Sequence, residues 1–210
     1  MNNIPVFTTQ YGVASLILEE IPYKKTAYIT IQATQSPEGL LKEAVEFCKA
    51  CGAQVILAKG HEFLSKYPHH CTIVKMCSLK LPRSAAKRIP VTQDRLKLWQ
   101  EIYNDKMAKV DNAAYMTDRK AQQMLRDEDG YFVYRDQELL GIGRASADEI
   151  TVVVSCQKGA GEQVVLAMGE ALTGDRVCVH VASTNTSAIR LYTRLGFAKM
   201  EEVSRWYRVG

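Results

Sequence analysis

The chain has 210 residues, 47% hydrophobic and 24% charged, a balance that excludes a disordered chain and supplies a real core. Lysine and arginine number 27 against 23 acidic residues, a net charge of +4 with neutral histidines. That mild excess suits an anionic small ligand and excludes a dedicated nucleic-acid binder with its dense basic patches.

The opening MNNIPVFTTQ lacks the basic segment and apolar core of a secretory leader. No apolar run approaches the roughly 18 residues of a membrane span, so no membrane partner is expected. From there VFTTQYGVASLILEEIPYKKTAYITIQA reads as three strands, with turns at Gln10–Gly12 and Pro22–Lys25. The helix SPEGLLKEAVEFCKACG follows, closed by Gly52 in a left-handed cap, and then the buried strand QVILA. Between Lys80 and Pro90, KLPRSAAKRIP reads as an exposed connection rather than a core strand, and as a domain boundary. Thr92 caps a helix whose Leu96, Trp99, Tyr103 and Met107 share one face, and a second helix spans Asp118 to Arg126. YFVYRDQELLGIGRASADEITVVVSC gives three more strands, turning at Asp136–Gln137 and Ala147–Asp148. The helix AGEQVVLAMGEALTG is expected to end at Gly174, ahead of the strand RVCVHVA. The two halves therefore share one order of elements, a weak internal repeat. The second half reads α-α-β-β-β-α-β-α-β, which demands an α/β architecture: a mixed sheet with helices on its faces.

The six cysteines (48, 51, 71, 77, 156 and 178) mostly lie in apolar stretches. They read as buried free thiols of a reducing compartment, and the expected location is cytoplasmic. Cys48 and Cys51 with His69, His70, Cys71 and Cys77 could be read as a zinc set. The spacing lacks a second close pair and the helix C-terminus disfavours thiolate, so no metal is expected. A zinc-dependent interaction protein is the weakest functional reading.

The stretch NTSAIRLYTRLGF carries the most information. Asn185 is a good N-cap, Ala188, Leu191, Tyr192 and Leu195 form one apolar face, and Gly196 stops the helix. The pattern N-x-x-A-x-x-L-Y-x-x-x-G-F resembles the signature of the GNAT superfamily of N-acetyltransferases at every fixed position, within a likeness covering roughly residues 90–210. The resemblance implies the acyl-CoA N-acyltransferase fold in 90–210, with residues 1–80 a degenerate GNAT-like unit. That unit has TQSPEGLL where a glycine loop should be, and HEFLSKYPHH replaces the tyrosine helix.

The resemblance further implies acetyl-CoA as cosubstrate and transfer of its acetyl group to a primary amine of a small molecule or protein. The family's R/Q-x-x-G-x-G/A loop falls on VVVSCQKGAGEQVVL, with Lys158 first, Gly161 as the fixed glycine and Gln163 in place of the last one. A register one residue earlier starts on Gln157 and loses the glycine. Backbone N–H groups of Gly159, Ala160, Gly161, Glu162 and Gln163 at a helix N-terminus can surround a pyrophosphate. The opened edge for the pantetheine arm is implied at Val152, Val153 and Ser155, with Asn185 facing it and Ala188 and Tyr192 beside it. Tyr192 is the implied catalytic acid for the leaving thiolate. No base stands out: Asp148 and Glu149 read as a solvated turn, and His180 as a satisfied core histidine. A water chain would serve. Acceptor choice would lie in the loop Asn104–Ala114. The competing reading is a catalytically silent acyl-CoA-binding regulatory or protein-interaction module. A monomer and a homodimer both remain open.

Overall fold

A computed structural model describes residues 5–79, 81–111 and 113–210. Residues 1–4, Lys80 at the start of the expected connection, and residue 112 in the expected acceptor loop lie outside them. The chain divides into two compact units, Met1–Ile73 with Glu202–Gly210, and Val74–Glu201.

The first unit contains β1 (Val6–Thr9), β2 (Gly12–Ile17), the short helix α1 (Ile21–Lys24), β3 (Thr26–Thr34), α2 (Pro37–Ala50) and β4 (Val55–Lys59). A 3₁₀ turn (Glu62–Lys66) and the first half of β5 (His69–Ser78) follow. β1, β2 and β3 are antiparallel neighbours, and β3 runs parallel to β4 over five pairs, Thr26↔Val55 to Thr30↔Lys59. The strand beside β4 is the end of β11 (Ala198–Arg208), antiparallel through Tyr207↔Ala58. Leu40, Leu41, Ala44 and Cys48 form one face of α2 and share a core with Ala14, Leu16, Ile29 and Ile31 of the sheet. Helix α2 closes as expected, with Gly52 at φ +93.

The second unit contains the rest of β5, then β6 (Lys87–Pro90), α3 (Leu96–Met107), α4 (Asp118–Arg126), β7 (Gly130–Arg135), β8 (Glu138–Ser146) and β9 (Glu149–Ser155). After these come α5 (Gly161–Gly169), β10 (Val177–Ala182), α6 (Thr186–Arg194) and the start of β11. Its strand order is β5-β10-β9-β8-β7-β6. The expected mixed sheet is present, with β9 and β10 parallel and β6 to β9 antiparallel. One face carries α5 and α6, the other α3 and α4, each over its own core.

The order β1-β2-β3-α2-β4-turn-β5 repeats as β7-β8-β9-α5-β10-α6-β11. The final strands are exchanged: the end of β11 lies beside β4, and the end of β5 lies beside β10.

Four expectations change. Lys87–Pro90 is not simply connection but an exposed edge strand paired with β7, where proline is tolerated. Thr92 opens a 3₁₀ turn, Gln93–Arg95, without a side-chain cap, and α3 begins only at Leu96. Helix α5 ends at Gly169, not Gly174, with Glu170 closing it on Leu166 and Met168. A Cβ on Gly174 would lie 3.4 Å from Asp148 Cβ, so that glycine serves the approach of a turn. Cys77 and Cys178 are joined in a disulfide, whereas Cys48, Cys51, Cys71 and Cys156 lie outside it as thiols. The exchange of β5 brings those two cysteines together across 101 residues of sequence.

Candidate active site

The site begins with a bulge. Between Arg144/Ala145 the β8–β9 register shifts by one, leaving Thr151 as the extra residue on β9. A one-residue slip turns the following side chains to the other face. Ile150 thus joins the α5–α6 core, while Val152 and Val154 join the α3–α4 core.

β9 and β10 then part. Their ladder covers only Cys178↔Glu149 and Val179↔Ile150, although β10 continues to Ala182 and β9 to Ser155. Cys156 N donates to Leu140 O of β8, so strand alternation turns the N–H and C=O of Val153 and Ser155 away from β8, toward the gap. Val152 is buried, and its backbone falls on the β8 side by the same alternation. Ser155 Oγ donates to Gln157 O and Gln157 Nε2 to Leu139 O, fixing the start of the following loop.

That loop turns at Gly159, φ +85, where an added Cβ would meet nothing within 4 Å. Lys158 beside it is exposed. Ala160 is the N-cap of α5, and Val164 N closes the first turn on Ala160 O. The amides of Gly161, Glu162 and Gln163 are therefore the donors of the open end. A Cβ on Gly161 would lie 3.1 Å from Leu191 Cδ2, so this glycine lets α6 approach α5 closely. Glu162 pairs with Arg194 of α6 at 3.3 Å. The Gln163 side chain turns away from the loop: Oε1 accepts from Ala85 N at 3.1 Å, holding the segment before β6 against α5. Glu170 accepts from Ser84 N at 2.8 Å in the same clasp.

Asn185 caps α6 as expected, its side-chain oxygen accepting from Ala188 N at 3.2 Å and from Ser187 Oγ at 3.0 Å. Ala188 packs partly buried against the α5–α6 core. Tyr192 is 7% exposed in that core, its ring 5.5 Å from Phe197. Its hydroxyl makes no hydrogen bond among the described residues. Burial pushes the phenol up to about 12, so it keeps its proton at any physiological pH. Thr184, just before α6, donates to Asp111 Oδ2 at 2.6 Å, tying the α3–α4 loop to the end of β10.

His180 is not a core residue. Its side chain is 37% exposed, and Nδ1 lies 2.9 Å from Glu149 Oε1. The sequence pointed elsewhere because VCVHVA reads as a fully buried strand, whereas only Val177, Val179 and Val181 face the α5–α6 core and His180 lies on the other face. Asp148 pairs loosely with Arg176 at 3.8 Å.

The first unit has no comparable opening. β4 stays paired with β3 along its whole length. Tyr11 lies over the start of α2, its carbonyl accepting from Thr34 Oγ1 and Gln35 N, and its ring fills the space a Cβ on Gly39 would need. Pro37 removes one first-turn donor there. Among the described residues, no group of three or more His, Cys, Asp or Glu could hold a metal ion. Nor is any of their helices long and apolar enough to cross a membrane.

The family model for FR47-like protein matches residues 155–207. No curated protein matches the chain. Among solved structures, a GCN5-related N-acetyltransferase from Sphaerobacter thermophilus matches at 13% identity and TM-score 0.56, covering 93% of this chain and 76% of that one. An acetyltransferase of the GNAT family from Colwellia psychrerythraea matches at 11% identity and TM-score 0.52, covering 98% and 84%. A functionally unknown conserved protein from Staphylococcus epidermidis matches at 12% and 0.57, covering 99% and 94%. The chain thus has the fold of these GNAT acetyltransferases, matched over nearly its whole length. The segment from Ser155 to Tyr207 is the part that matches the FR47-like model.

Proposed function

We propose that the second unit transfers the acetyl group of acetyl-CoA to a primary amine by direct attack, and that residues 1–80 are a degenerate copy that binds no cofactor. The observation that carries this reading is the hydroxyl of Tyr192, buried with its proton and without a hydrogen bond among the described residues. A buried hydroxyl left unbonded costs about 1–3 kcal/mol, a cost that a bound partner would remove. The residues fit acetyl-CoA in two further respects. Val153 and Ser155 offer backbone groups to an arm that can add as a strand, and the loop at Lys158–Gly161 leaves room and amide donors for a pyrophosphate.

Acetyl-CoA supplies an activated acyl group and a thiol leaving group. Tyr192 holds the negative charge that develops on the departing sulfur. A phenol near 12 facing a thiol of ordinary pKa ~8.5 would give up about 5 kcal/mol on full proton transfer, so its role is donation of a hydrogen bond. The thiolate then takes its proton from solvent. Asn185 and Ala188 set the start of α6 and thereby the position of Tyr192.

The test is incubation with acetyl-CoA and a panel of small and peptide amines, with mass detection of the N-acetyl product. Acetylated amine in the wild type supports the reading. Tight acetyl-CoA binding without product from any amine would instead make this a silent acyl-CoA-binding module.

A further inference from the structure

The attacking amine must lose a proton, and the group that takes it is legible on the strand facing β9. This inference rests on the acetyltransferase reading. His180 is the first residue of β10 beyond the ladder, which ends at Val179↔Ile150, so it stands where the two strands begin to part. Val177, Val179 and Val181 share the core that holds Tyr192, so strand alternation puts His180 on the opposite face. His180 and Tyr192 therefore lie on opposite faces of the sheet.

Glu149 Oε1 lies 2.9 Å from His180 Nδ1. An ionised carboxylate can only accept, so in the neutral ring the proton sits on Nδ1 and Nε2 carries the lone pair. Other charged groups on this face include Lys75, which alternation places on the side of β5 that carries Cys77, the Asp148–Arg176 pair at the β8–β9 turn, and Arg144 of β8, registered opposite Val152 and paired with Asp129 and Asp127.

We propose that His180 Nε2 accepts the amine proton, directly or through one water, and that Glu149 is a positioning residue that fixes the imidazole tautomer. In the balanced step the N–C bond forms as the C–S bond breaks. The amine proton passes to Nε2 and on to water. The thiolate leaves against Tyr192 and is protonated by solvent.

The experiment compares His180→Gln, His180→Ala and Glu149→Gln with wild type in thiol release, each with its acetyl-CoA dissociation constant. ¹⁵N NMR of the imidazole in the ligand-free protein adds a readout independent of turnover. His180→Gln should lower kcat about 10²-fold or more with unchanged cofactor affinity, and added imidazole should restore part of the rate to His180→Ala. Glu149→Gln should shift the tautomer from Nδ1–H and move the acid limb of the kcat/KM profile. An active wild type with His180→Gln within twofold of it would overturn the dyad and leave the acetyltransferase reading standing, as would an Nε2–H tautomer. A wild type that acetylates no amine overturns that reading, and the dyad's role with it.

Discussion

At the residue scale, Tyr192 separates a working group from a packed one. Replacing it with phenylalanine keeps the ring against Phe197 and removes only the hydroxyl. Loss of a positioned charge-stabilising donor typically costs roughly 10²–10³ in kcat, and acetyl-CoA affinity should barely change. Stability should hold or rise, because the variant deletes a buried hydroxyl with no bond among the described residues. A tyrosine kept for its hydrogen bond to the protein would do the reverse. The sign of the pH effect follows from the raised pKa. An unfolded tyrosine ionises near 10 and the folded one near 12, so the contribution is whole below 10 and is lost as pH rises toward 12. Alkaline denaturation curves should therefore show a steeper fall in wild type than in Tyr192→Phe.

The sequence marked Tyr192 and Asn185 because both lie in a local helical pattern bounded by a cap and a stop glycine, and such patterns survive without tertiary information. His180 was illegible for the opposite reason. Alternation sends His180 to the face opposite Val177, Val179 and Val181, and whether that face is covered depends on elements far away in sequence.

At the scale of elements, Gln163 shows how a departure from a family pattern can be structural. Its side chain faces Ser84 and Ala85 rather than the loop, so it need not weaken cofactor binding. Gln163→Ala should cost about 1 kcal/mol by loss of the bond to Ala85 N, leave acetyl-CoA affinity nearly unchanged, and speed amide exchange at Ala85. Gly161 also changes meaning. A bulky residue there strikes Leu191 of α6, so the damage should reach kcat through Tyr192 as well as cofactor binding. Periodicity located most helices and strands of both halves, but gave no strand at His69–Ser78 and read the short helix at Ile21–Lys24 as a turn. It misjudged the end of α5, which closes on backbone bonds from Glu170 N to Leu166 O and Met168 O, ahead of Gly174, which had looked like the cap.

At the scale of the whole molecule, the exchange of β5 and β11 was beyond a linear reading, because no strand was read at His69–Ser78 and no local pattern in either strand names its partner. The Cys77–Cys178 disulfide is its chemical signature, closing a loop of 101 residues. Removing a native disulfide typically costs about 2–5 kcal/mol. For a chain of this size that corresponds to a fall in Tm of about 5–15 °C, which calorimetry of the Cys77→Ala/Cys178→Ala variant, compared with wild type, would read.

β9 and β10 part where β3 and β4 stay paired, so the proposed acetyl-CoA site falls to the second unit alone. Calorimetric titration of acetyl-CoA into the whole wild-type chain addresses that claim most directly. Saturation at one molecule per chain, weakened by Gly159→Trp in the second unit and unaffected by Gly39→Ala in the first, is the predicted result. No binding, or two equal sites per chain, would contradict the account.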